Sequence, residues 1–144
     1  MKSVSITVRT KKQAIDKVWD LLTDIEKYPK RVKYVKKVTV YGTSEGSVWD
    51  DTTTILWVPM KMKHTITTLR KNKEYSFDIP LYFGGVMKQK YVLRQEDRES
   101  VIIKASITYT LGNRFFNQTI GKLLNKRLKN MLESTVQFVD GEVL

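Results

Sequence analysis

The amino-acid sequence predicts an α+β fold in which a curved antiparallel sheet wraps around a long C-terminal helix, with an apolar cavity between them. Three observations predict it. A first alternating segment is followed by two short helical segments. Six strand-like segments then follow, joined by short links rich in turn residues. Finally, the stretch from Arg114 to about Val139 has no proline, a single glycine at Gly121, and apolar residues at helical spacing. The element order is therefore β-α-α-β6-α, and nothing in the composition marks a linker or a repeat, so residues 1–144 read as a single ligand-binding domain.

The predicted first strand runs from Ser3 to Arg9, where Val4, Ile6 and Val8 alternate with Ser5, Thr7 and Arg9. Thr10 and Gln13 have the spacing of a capping box, which would satisfy two backbone donors at the start of a helix. Ile15, Val18, Trp19 and Leu22 share one face of that helix. Asp24 is placed to cap a second, shorter helix that Pro29 helps to end. The six following strands are predicted from Tyr34 to Tyr41, Ser47 to Trp57, Met60 to Arg70, Glu74 to Ile79, Gly85 to Gln95 and Ser100 to Leu111. Turns fall at Gly42 to Gly46, Lys71-Asn72-Lys73 and Glu96 to Glu99, and Pro59 marks a break or bend between two strands. Asn113 is a candidate cap for the last helix, whose stripe is Phe116, Ile120, Leu123, Leu124, Leu128, Met131, Thr135 and Phe138.

Composition narrows the chemistry. There is no cysteine and one histidine, His64, which excludes disulfides and leaves no ligand set for zinc. No cofactor fingerprint is present: the glycine pair Gly84-Gly85 matches neither phosphate-binding pattern. The start of the chain has no apolar signal core and no uncharged run is long enough to span a bilayer, so a cytoplasmic location is expected. Lys and Arg number 26 against 15 Asp and Glu, and the net charge of +11 favours anionic partners. Lys27, Lys30, Arg31, Lys33, Lys36 and Lys37 form a basic cluster without an internal acid. An anionic membrane surface is one partner for it, and a purely solvated face is the alternative. No helix-turn-helix, RNP or KH pattern supports nucleic acid.

The segment Val18-Trp19-Asp20-Leu21-Leu22-Thr23-Asp24-Ile25-Glu26-Lys27-Tyr28-Pro29 resembles the helix-pair signature of the superfamily of START domains, Bet v 1-type allergens and polyketide cyclases. Val35 to Val40, the glycine turn after them, and Gly121, Leu123, Leu124 and Leu128 extend the resemblance over nearly the whole chain. Where many members carry an aromatic soon after Tyr-Pro, this chain has Lys30, Arg31 and Val32. The resemblance implies a helix-grip fold whose cavity holds a lipid, sterol, polyketide or quinone-like molecule, and in some members an enzyme.

Alternation assigns the cavity wall. Met60, Met62 and His64 share a face with Ile66, and Trp49, Asp51 and Trp57 share one on the strand before. Met87, Gln89 and Tyr91 follow, then Ala105, Ile107 and Tyr109, with Phe116, Ile120 and Leu124 facing them from the helix. His64, with Asp51 or Tyr91, is the candidate acid–base group for a cyclase or dehydrase reaction. The alternatives are a core histidine satisfied by its neighbours and an Asp51 in solvent near the strand start. Polar groups on these faces, His64, Gln89, Tyr91 and Tyr109, need partners that a ligand or ordered water could supply. The loop from Pro80 to Gly85 reads as a gate over the cavity or as a bulged turn. Three functions therefore stay open: binding or transport of a hydrophobic small molecule, a cyclase-type enzyme, and a basic interaction module.

Overall fold

A computed structural model describes residues 2–11, 13–31, 35–55, 58–81, 84–110, 121–137 and 141–143 of the chain, with the side chains at 31, 53–55, 58, 60, 121, 122, 135–137 and 141–143 outside that description. The elements are β1 (Lys2–Lys11), α1 (Ile15–Thr23), a 3₁₀ turn (Ile25–Lys27), α2 (Tyr28–Arg31), β2 (Val35–Val40), β3 (Val48–Ile55), β4 (Val58–Arg70), β5 (Glu74–Pro80), β6 (Val86–Asp97), β7 (Ser100–Thr110), α3 (Gly121–Gln137) and β8 (Gly141–Val143). The strands form one antiparallel sheet in the order β2-β3-β4-β5-β6-β7-β1-β8.

The six central strands are where alternation places them, because hairpins built on short links pair neighbours in sequence. Curvature has a local cause. Register shifts fall between Val35 and Lys37, Ile66 and Thr68, and Gln95 and Asp97, and each extra residue bends its strand. The β4–β5 turn needs a left-handed residue, and Asn72 supplies it at φ 62°. The Asn72 amide then donates to Asp16 at 2.7 Å, tying this turn to α1.

Several local expectations are corrected. Thr10 is not a helix cap, because it continues β1 opposite Val101 and its hydroxyl reaches the Val101 carbonyl at 3.4 Å. The residue before α1 is Ala14, which has no side chain to cap with. Asp24 precedes the 3₁₀ turn without capping it; its carboxylate pairs with Lys27 at 3.1 Å instead. Pro29 lies inside α2 rather than ending it, in a first turn where a missing N–H costs nothing. Pro59 is also inside its strand, opposite Thr54. The β4–β5 register begins only at Thr65, so the proline lies outside that ladder. β8, which pairs with Val8 to Thr10, was not expected.

The last helix is described from Gly121 to Gln137; Asn113, Phe116, Ile120 and Phe138 lie outside the described residues. α3 packs on β1, β7 and β8. Leu124, Leu128 and Leu132 are buried at four-residue intervals, whereas Leu123 is 56% exposed. One residue is about 100° of helix, which carries Leu123 off the stripe and leaves Leu132, overlooked in the sequence pattern, on it.

Candidate functional site

The concave face of β3 to β6 is lined with rings. Trp49 on β3 lies opposite His64 on β4, and Ile66 lies opposite Phe77 on β5, which lies opposite Gln89 on β6. Alternation thus brings Trp49, His64, Tyr75, Phe77 and Tyr91 to one side of the sheet, all at most 3% exposed. The Trp49 and His64 rings stack with centroids 3.5 Å apart and planes 11° apart. Phe77 meets both of them edge-on at 5.5 and 5.0 Å. Tyr28, anchored by donating its hydroxyl hydrogen to the Leu22 carbonyl, meets Trp49 edge-on at 6.3 Å.

His64 is held neutral. Burial pushes its pKa down to about 3, although contacts with the Met62 and Trp49 backbone oppose the shift. Nδ1 is 3.2 Å from the Met62 carbonyl, to which it must donate, leaving Nε2 as the basic nitrogen. Nε2 lies 3.8 Å from Asp51 Oδ2. Asp51 itself is 5% exposed, so it belongs to the core and not to the solvent at a strand start.

A pocket of about 450 Å³ opens beside this aromatic group, beneath α1 and the 3₁₀ turn. Its walls are Trp19, Ile25, Val40, Trp49, Ile66, Leu69 and Tyr75, and its polar lining is Thr23, Asp24, Glu26, Gly42 and Thr43. That size and this mixture of aromatic walls with few polar groups suit a small organic ligand. At Gly42 any Cβ would come within 2.6 Å of the Ser47 hydroxyl, so the tight β2–β3 turn depends on a glycine there. Burial raises the pKa of the Tyr75 phenol well above its ordinary value, which keeps it an O–H donor. The Trp49 indole N–H comes close enough to that oxygen to offset part of the rise. Among the described residues the buried indole nitrogen nonetheless has no partner in hydrogen-bond geometry.

Of the wall residues expected from the sequence, Trp49 and Ile66 line this pocket. His64 lies against the other side of the aromatic group, stacked on Trp49. Met62, Met87, Tyr91, Ala105, Ile107, Tyr109 and Leu124 are buried and Gln89 is half-buried. Trp57, Phe116, Ile120 and the Met60 side chain lie outside the described residues. The polar groups expected to need a ligand find protein partners instead. The Gln89 amide donates to the Tyr91 hydroxyl, Tyr109 donates to Asn125 at 3.2 Å, and His64 has the Met62 carbonyl. In the segment from Pro80 to Gly85, the Leu81 N–H donates to the Gly85 carbonyl at 2.8 Å, and Tyr82 and Phe83 lie outside the described residues. Trp19 and Tyr75 were legible only as a helix face and a strand face, and their meeting at a 6.3 Å edge contact is a tertiary fact.

Among the described residues, no group of three His, Cys, Asp or Glu side chains gathers to hold a metal. No described helix is long and apolar enough to cross a membrane.

A family model described as polyketide cyclase / dehydrase and lipid transport matches residues 13–136. No curated protein sequence is similar enough to count as a relative. Among solved structures, a START superfamily protein from Mycobacterium smegmatis is similar with a TM-score of 0.78 at 12% identity, covering 96% of this chain and 97% of that one. Norcoclaurine synthase from Thalictrum flavum, in complex with dopamine and hydroxybenzaldehyde, gives 0.71 at 15% identity, with 96% and 86% covered. The di-domain ARO/CYC StfQ of the steffimycin biosynthetic pathway gives 0.74 at 14% identity, with 95% of this chain and 49% of that one covered. At such identities the likeness is one of fold, and the fold is the helix-grip arrangement.

Proposed function

Because the chain belongs to the polyketide cyclase / dehydrase and lipid transport family, we propose that it binds or carries a hydrophobic small molecule, seated in the pocket beneath α1. The observation that carries this reading is the pocket's make-up. Two tryptophans and a tyrosine line a pocket of about 450 Å³ whose lining also includes Thr23, Asp24 and Glu26. A flat, apolar ligand would cover the rings and turn its polar end toward the acidic residues. Ala105, Ile107 and Leu124, expected to wall a cavity toward the C-terminal helix, are buried and do not line this pocket.

The test is uptake of N-phenyl-1-naphthylamine, a neutral apolar fluorophore. The folded protein is expected to bind it saturably, and Thr43→Trp at the exposed rim or Ile66→Trp in the wall is expected to weaken binding at least several-fold while unfolding stays cooperative. No saturable binding, or binding by both variants as tight as by the native protein, would contradict the reading.

A cyclase-type reaction is the second reading, favoured by the buried approach of His64 to Asp51 at 3.8 Å. Two facts set it behind binding. His64 is covered by Trp49, and its nitrogen is a weak base when its pKa is near 3. Turnover of a poly-ketone substrate that vanishes in His64→Gln, with probe binding retained, would move it to first place.

A further inference from the structure

We infer that the pocket beneath α1 contains a subsite for an acceptor oxygen, formed by the indole N–H of Trp49 and the hydroxyl of Tyr75, and that it selects neutral carbonyl-bearing ligands. This deepens the proposed binding function and rests on it. Trp49 is 2% exposed and lines the pocket, yet its indole nitrogen has no partner in hydrogen-bond geometry among the described residues. A buried donor left in this state is costly, and one acceptor oxygen would relieve it. Tyr75 lines the same pocket at 1% exposure and comes close to that nitrogen. Two donors side by side in an apolar wall are complementary to one oxygen with two lone pairs, such as a ketone or quinone-type carbonyl.

The donors are fixed in place. His64 covers one face of the Trp49 indole at 3.5 Å, and Phe77 and Tyr28 abut its edges. Trp19 meets Tyr75 at 6.3 Å. A carboxylate ligand could also accept from these groups, but Asp24 and Glu26 lie in the same pocket. Lys27 neutralises only the first of them, at 3.1 Å. The Glu26 carboxylate at the pocket, uncompensated among the described residues, disfavours an anion and leaves a neutral ketone preferred.

The experiment compares 2-acetylnaphthalene with 2-ethylnaphthalene, which has the same shape but no acceptor, by calorimetric or fluorescence titration. The native protein is expected to bind the ketone about tenfold more tightly, the effect of satisfying one or two buried donors. Tyr75→Phe, which keeps the ring, is expected to bring the ratio down to about threefold or less. Independently of that variant's folding, the Trp49 indole ¹H–¹⁵N resonance of the native protein is expected to move further downfield with the ketone than with the ethyl compound. If both compounds bind equally and the resonance responds equally, the acceptor subsite is wrong while the binding function stands. If neither compound binds, the binding function falls and the subsite with it.

Discussion

The imidazole of His64 lies flat on the indole of Trp49, with ring centroids 3.5 Å apart and planes 11° apart. Both rings are nearly inaccessible to water. The pair joins a buried histidine whose pKa is pushed far down to a wall of the candidate ligand site. Stability and binding are therefore expected to respond to the same residue in different ways.

The stability response is to pH. His64 has a folded-state pKa of about 3 against an ordinary 6.5. Between these values the unfolded chain takes up a proton that the folded one refuses, so stability falls as pH drops from 6.5 toward 3. The loss from this residue is on the order of 3–5 kcal/mol across that window. Urea unfolding at pH 7, 5 and 4 is the check. His64→Gln is expected to be less stable at pH 7 and to show a flatter decline below it. An equal pH slope in both proteins would contradict the buried, neutral histidine.

The orientation of α3 gives a second expectation. Leu128 is fully buried, and Leu123 is 56% exposed. Leu128→Ala is expected to cost about 2–5 kcal/mol, as large-to-small changes in a core do. Leu123→Ala is expected to stay within about 0.5 kcal/mol. Chemical unfolding distinguishes them, and similar costs for the two would place the helix wrongly.

That contrast shows what a sequence pattern carries. Strand alternation fixed the faces of Trp49, His64, Tyr91 and Ile107, because a two-residue period leaves only two choices and apolar residues settle which is inside. Helical stripes are less definite: Leu123 and Leu124 are adjacent, and only packing on β1 and β7 selects Leu124. Local caps misled for a related reason. Thr10 has the chemistry of a cap, but pairing with Val101 extends the strand through it. The pocket was the least legible feature. Its walls come from α1, the 3₁₀ turn, β2, the β2–β3 turn, β3, β4 and β5, and no single period links Trp19 to Tyr75. The polar residues Gln89, Tyr91 and Tyr109, conspicuous on apolar strand faces, have protein partners.

The basic surface yields a third expectation. Lys30, Lys36 and Lys37 are exposed, while Lys27 is engaged with Asp24 and Lys33 lies outside the described residues. If this surface docks on anionic bilayers, sedimentation with phosphatidylserine-containing vesicles is expected to weaken as salt rises. Replacing Lys30, Lys36 and Lys37 with glutamate is expected to abolish it. Equal binding to phosphatidylcholine and phosphatidylserine vesicles would reject the docking.

Occupancy of the pocket beneath α1 by a hydrophobic molecule is reported directly by the tryptophan indole resonances. Trp19 and Trp49 line that pocket. Their ¹H–¹⁵N indole signals, assigned with Trp→Phe variants, can be followed as N-phenyl-1-naphthylamine is added. Saturable shifts of both signals, with the same dissociation constant as the probe's fluorescence, are the predicted result. Probe binding that leaves the Trp19 and Trp49 signals in place would contradict the account.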